Sequence, residues 1–313
     1  MNHDTGPLPL DLYALGRGLA YAATLALVGA CVFAALLPRW RDAEDDETAL
    51  AARALDRVWR VAGGAAALLL GAHLLRAYGQ VRSFLDPIEP VTWDFTRSVL
   101  TQTTWGRGWM AQVTAATLGL LMALLAPRRS ASGVQLLGTA ALAVACTSPL
   151  TGHAVEHPWG LPLGVGLHAL HLIGGGVWLG TLLSILVAGL RAITTPAPPR
   201  DHAAVVRMIR VFSPIALTGA GLAVGAGLLM AYAYIGDFAS LWGTTYGRTL
   251  LVKSALLAIT MALGAWNWRR VTPRLGSPRG TSELTRSATI ELCIGALLLA
   301  ATAVLVALPA PRV

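Results

Sequence analysis

GVQLLGTAALAVACTSPL (133–150), TGHAVEHPWGL (151–161) and PLGVGLHALHLIGGGVWLGTLLSILVAGL (162–190) follow one another without a break, and they decide the fold class. Two apolar runs flank a short loop, and each run is long enough to cross a hydrocarbon core about 30 Å thick. The same pattern recurs along the chain. It predicts spans near 12–37, 58–80, 106–126, 133–150, 162–190, 209–235, 247–268 and 287–308. Composition agrees: 55% of the 313 residues are hydrophobic and 13% charged, with a mean hydropathy of +0.60. Soluble domains carry about 25% charged residues. The expected fold is all-α, a polytopic membrane protein with eight transmembrane helices whose surrounding partner is the lipid bilayer.

A formal charge of +8 raises nucleic acid as a partner, but the distribution of that charge argues against it. Most of the 24 basic residues fall in alternate loops. The first loop holds Arg39, Arg41, Arg53, Arg57 and Arg60, and the third holds Arg128 and Arg129. The fifth holds Arg191, Arg200, Arg207 and Arg210; the seventh holds Arg269, Arg270, Arg274, Arg279 and Arg286. The loop over 149–161 has none. Excess Lys and Arg mark cytoplasmic loops, so these four loops are expected inside and both termini outside. Trp105, Trp109, Trp159, Trp242, Trp266 and Trp268 lie near span ends, as an aromatic belt requires. Residues 1–11 lack a basic n-region, so no cleavable signal peptide is expected. The polar segment 81–104 is expected to form an interfacial outer connection.

Two halves are visible in the sequence. Thr104-Trp-Gly-Arg107 opens the third span and Thr245-Tyr-Gly-Arg248 the seventh, with Gln112 and Lys253 at the same offset. Leu74-Leu-Arg-Ala-Tyr78 ends the second span and Leu228-Leu-Met-Ala-Tyr232 the sixth. The expectation is two parallel four-helix repeats, since an even number of spans per half preserves direction. The first repeat begins over 1–130 (spans one to three), and 131–150 is its fourth span. Residues 151–161 form an outer, histidine-bearing loop, and 162–313 make the second repeat.

With this topology, five of the seven histidines gather at the outer face: His73, His153, His157, His168 and His171. His3 is also outside, and only His202 is inside. Ionisable groups at membrane depth are costly and point to function, and imidazole is the commonest protein metal ligand. His168 and His171 lie one turn apart on one helix face. Together the five predict a histidine-rich site suited to copper, zinc or iron.

Cys31, Cys146 and Cys293 fall in separate spans and form no disulfide framework. Cys146, about two turns before His153, is a candidate soft ligand. Lys253, the only lysine, lies within the seventh span, where it either snorkels outward or tunes the histidine site. Arg17 and Arg76 are expected to pair with Asp94, Glu89, Asp237 or Glu156. Glu291 is expected to pair with Arg286 or another inner-loop arginine, the alternative being a proton or ion relay on the inner half.

Ser148-Pro-Leu-Thr-Gly-His-Ala154 and His168-Ala-Leu-His171, running on to Val177-Trp-Leu-Gly180, resemble the CopD copper-resistance family. Phe212-Ser213, Thr245-Tyr-Gly-Arg-Thr-Leu-Leu-Val-Lys253 and the Asn267 region extend the resemblance. It covers the second half closely and the first by general layout. The chain departs from that family's pattern at Gly174-Gly-Gly176, and it has only 6 Met. The resemblance implies an inner-membrane protein of eight helices with periplasmic termini, binding copper at its periplasmic face for import or for delivery to cuproproteins. A periplasmic copper chaperone is an implied partner. Cys146, Lys253, Arg248 and Trp178 are accessory candidates beside the five histidines.

Two other classes stay open. In the first, His73 faces His168 or His171 as axial ligands of a haem in an electron-transfer subunit, with Gly174–Gly176 making room for the porphyrin. In the second, the chain is a structural or assembly subunit. No nucleophile motif, Walker sequence or HExxH is present, so no enzyme is expected.

Overall fold

A computed structural model describes the chain outside residues 1–7, 41–44, 194–198, 309, 312 and 313. Its eight apolar helices are Leu12–Arg39, Leu50–Arg82, Thr104–Leu125, Ala131–Thr151, Leu161–Ala192, Asp201–Ile235, Thr245–Arg274 and Pro278–Ala307, spans one to eight in chain order. Each expected span is present, and no strand occurs among the described residues. The helices containing spans two, six and eight begin at Asp45, Pro199 and Pro278, well before the apolar runs do. Hydropathy reports only the lipid-crossing part of a helix. The polar extension at the arginine-rich end satisfies its backbone internally and continues into water.

Spans one and five form the centre. Two-thirds of the most apolar window of each is buried, against 6% for span seven, whose flanks are left to lipid. The central pair approaches closely because small residues meet. A methyl at Gly180 would overlap the Leu25 carbonyl, and one at Gly29 would overlap the Gly180 backbone. Gly174 lies equally close to Gly219 and Ala223 of span six. The glycine run expected to make room for a porphyrin instead lets spans one and six close onto span five.

Span five is also irregular. Its α-helical part, Leu161–Gly175, passes into π-helical Gly176–Gly180 and, after one α turn, into π-helical Ile185–Gly189. Span seven ends in a π-helical stretch, Asn267–Val271. Such turns rotate the side chains that follow and recur at functional sites.

Local correspondence between the halves is clear at two helix starts. The Thr103 hydroxyl accepts from Gly106 N and donates to Val99 O, and the Thr244 hydroxyl accepts from Gly247 N and donates to Ser240 O. A short helix precedes each, Trp93–Gln102 and Phe238–Gly243. Trp93–Gln102 packs along span three as a surface connection with Trp93 exposed. Span seven packs along span eight and has little contact with span six, which leaves a cleft at the histidine-bearing end.

Candidate functional site

Two polar assemblies lie side by side at that end. The first joins spans one to four. Arg17 donates to the Tyr13 hydroxyl (3.0 Å) and to the Thr151 carbonyl. Arg76 donates to Gln112 Oε1 (2.7 Å), to the Thr151 hydroxyl and, at 3.4 Å, to His73 Nδ1. Gln112 Nε2 donates to Thr147 O, Ser148 O and the Thr151 hydroxyl at 2.9–3.2 Å. Trp109 Nε1 donates to His73 O, and Trp105 Nε1 to the Tyr13 hydroxyl. Among the described residues Arg17 and Arg76 bond only neutral oxygens and nitrogens, not the expected Asp94, Glu89 or Asp237; the side chain of Glu156 lies outside the described residues. Arg17 Nε and Arg76 Nε are buried without acceptors.

The second assembly surrounds a cavity of about 150 Å³ between spans one, five, six, seven and eight. His168 and His171 line it from span five, Met230 and Tyr234 from span six, and Tyr246 and Lys253 from span seven. Trp178 borders its deeper end and Arg17 links it to the first assembly. No carboxylate lines it among the described residues. Lys253 has no hydrogen-bond partner among them.

What faces each Nδ1 sorts the histidines. His168 Nδ1 lies 2.9 Å from Gly164 O, and His171 Nδ1 lies 2.6 Å from Ala223 O. A carbonyl only accepts, so in the neutral ring Nδ1 carries the proton and Nε2 the lone pair. That is the orientation a ligating imidazole takes when its other nitrogen is anchored. His73 and His157 show the reverse. Arg76 donates to His73 Nδ1, and the Trp159 backbone N–H donates to His157 Nδ1 at 3.1 Å. Each thereby spends its lone pair on a donor. His157 Nε2 is buried with no partner, and burial holds this imidazole below its ordinary proton affinity. Its ring meets Tyr234 edge-on at 5.1 Å, and Tyr234 meets His168 at 5.9 Å.

Thus the structure brings His168 and His171 into one cavity, with His157 behind Tyr234 and His73 in the neighbouring assembly. The side chain of His153 lies outside the described residues, as does His3. Cys146 is exposed on the bundle surface and Arg248 lies away from the cavity. His202 bonds the Thr281 hydroxyl at 3.0 Å at the opposite end. Among the described residues no group of three His, Cys, Asp or Glu side chains is placed to hold an ion. Met230 and Tyr246 were not singled out by sequence reading; Tyr246 lies in the Thr245–Lys253 stretch that carries the family resemblance, and Met230 in the Leu228–Tyr232 stretch that resembles the end of span two. Glu291 does not pair with Arg286. It accepts from Trp178 Nε1 (3.2 Å) and Asn267 Nδ2 (3.0 Å).

Comparison with known proteins bears on what this arrangement serves. Residues 8–161 match the family model "Copper resistance protein D-like, N-terminal domain", and residues 206–305 match "Copper resistance protein D". The chain belongs to the copper resistance protein D family. The N-terminal match contains Arg17, His73, Arg76, Gln112 and Thr151, and the C-terminal match contains Met230, Lys253 and Glu291. His168, His171 and Trp178 fall between the two matches. A relative, "Copper transport protein CutJ" of Bacillus subtilis (strain 168), is 29% identical over 223 residues. The match covers 69% of this chain and 39% of that protein, so the chain corresponds to well under half of its relative. No solved structure matches the chain. With its eight apolar helices the protein is a multi-pass membrane member of the copper resistance protein D family.

Proposed function

We propose that the protein takes copper into the cavity between spans five to eight, with His168 and His171 as ligands. The supporting observation is that these two imidazoles, one turn apart and lining the same space, both have Nδ1 anchored to a carbonyl. Nε2 then carries the lone pair in each. The Met230 thioether, lining the same cavity from span six, supplies a soft donor. Imidazole and thioether together suit copper far better than magnesium or calcium. In this reading His153 and His157, both in the 151–161 loop, pass the ion inward to the cavity.

The alternating arginines orient the cavity toward the periplasm, with both termini on that side of an inner membrane. Copper arrives there, in our reading from a periplasmic chaperone, and leaves toward the cytoplasm or to a cuproprotein. The protein works by binding and transfer, not as an enzyme. Against a haem-bearing subunit, His73 lies outside the cavity and is held by Arg76.

Copper per chain, measured by elemental analysis of protein purified in detergent from copper-supplemented cells, tests the site. The parental protein and His202→Ala should each carry about one copper. His171→Ala and His168→Ala should lose most of it. Full retention by both cavity variants would sink the assignment, and iron in place of copper would revive haem.

A further inference from the structure

Glu291 is 3% exposed on span eight, behind the cavity wall. Span five presents Trp178 to it and span seven presents Asn267, both neutral donors. No cationic side chain bonds it among the described residues. A carboxylate this deep in a bilayer, without a cation, is costly when ionised. Three observations show that the surroundings are built for it. Trp178 lies in π-helical Gly176–Gly180, and Asn267 opens π-helical Asn267–Val271, so irregular turns in two spans converge on one carboxyl. Asn267 Oδ1 is buried with no partner. An amide can turn about its own axis, exchanging oxygen for nitrogen. In one orientation Asn267 donates to a carboxylate; in the other it accepts from a carboxylic acid. Both protonation states of Glu291 can therefore be satisfied in place.

The same Trp178 borders the cavity that holds His168, His171, Lys253, Arg17 and the tyrosines. We propose that Glu291 is a proton-carrying site coupled to that cavity: it holds a proton while the cavity is empty and releases it when copper enters. The inference rests on the copper reading of the cavity. Chemistry divides the two cations. Copper stays with imidazole and thioether, while the hard oxygens of Glu291 and Asn267 take the proton. When copper adds a positive charge across the Trp178 wall, the Glu291 O–H bond breaks, its electron pair stays on the carboxylate and the proton leaves to solvent. The indole N–H, already bonded to Oε1, then strengthens its hold on the new charge.

Two readouts test this, both on the full chain in detergent. Infrared spectra of metal-free protein near neutral pH should show a protonated carboxyl band that is absent in Glu291→Gln. Copper(I) titrated into weakly buffered protein should erase that band and release about one proton per copper. Glu291→Gln should bind copper and release none, while Lys253→Gln should still release it. Should Glu291→Gln fail to fold, Glu291→Asp keeps the test: the protonated carboxyl band should persist but move in frequency, and an unmoved band would assign it to another carboxyl and overturn the proposal. No band in metal-free parental protein overturns the proton site whatever copper does. Release persisting in Glu291→Gln with copper bound also overturns it. A parental protein that shows the band but binds no copper overturns the copper reading, and the exchange falls with it.

Discussion

Aligned on Thr104-Trp-Gly-Arg107 and Thr245-Tyr-Gly-Arg248, spans three and seven open on like helix starts but lead into unlike polar surroundings. Gln112, eight residues into span three, has its whole amide engaged by Arg76, Thr147, Ser148 and Thr151. Lys253 stands at the same offset in span seven, lines a cavity and bonds nothing among the described residues. Arg76 corresponds to Met230, His73 to Gly227 and Trp105 to Tyr246. The first member of each pair belongs to the hydrogen-bonded cluster. Of the second members, Met230, Tyr246 and Gly227 all line the cavity. Buried polar groups alone do not mark a functional site. Where donors and acceptors consume one another, as around Thr151, the polar residues fasten helices together. Where lone pairs and charges face empty space, as around His171, they are available to a ligand.

The sharpest way to break this comparison is to exchange the two side chains. Gln112→Lys places an ammonium against the Arg76 guanidinium and leaves Thr151 and two carbonyls short of their donor. An uncompensated buried charge of this kind costs about 3–5 kcal/mol. The thermal midpoint in detergent should fall steeply, or folded protein should be lost. A midpoint close to the parental one would mean that the first cluster is not what fastens spans two, three and four.

The reciprocal change should be mild for stability. Lys253→Gln removes a side chain with no bonds among the described residues, so unfolding should shift by less than about 1 kcal/mol. It also takes a positive charge from beside His171. Copper affinity, measured by competition with a chelator, should rise on the order of tenfold, the factor given by about 1.4 kcal/mol of relieved repulsion. Weaker binding would mean that copper arrives with an anion that Lys253 holds.

The limit of sequence reading follows from the same contrast. All eight spans were legible because a bilayer demands about 20 apolar residues per crossing, and that demand is written linearly. The grouping of His73 with His168 and His171 came from depth alone. Depth follows from residue number, but the rotation of a helix about its axis depends on which neighbours it meets. Span two turns His73 toward Arg76 and Trp109, and no pattern in that Ala- and Leu-rich segment announces it. Glu291 shows the same limit. Its charge suggested an arginine, yet its partners are Trp178 and Asn267, presented by π turns that hydropathy does not register.

The smallest effect concerns the loop over the cavity. The His157 ring must be neutral for Nδ1 to accept from the Trp159 N–H, and burial favours that neutral form. Its proton affinity is therefore lower in the folded loop than in an open one, and the open loop binds more protons as pH falls. The contribution is fully present above the ordinary histidine value of about 6.5 and fades as pH drops below it. Hydrogen exchange at the Trp159 amide should accordingly speed up, relative to the intrinsic rate, between about pH 7 and 5. His157→Gln should flatten that dependence and leave the Gln112 cluster as protected as before. If the Gln112 cluster opened over the same pH range as the loop, the two assemblies would be one cooperative unit rather than a fastened half and an open one.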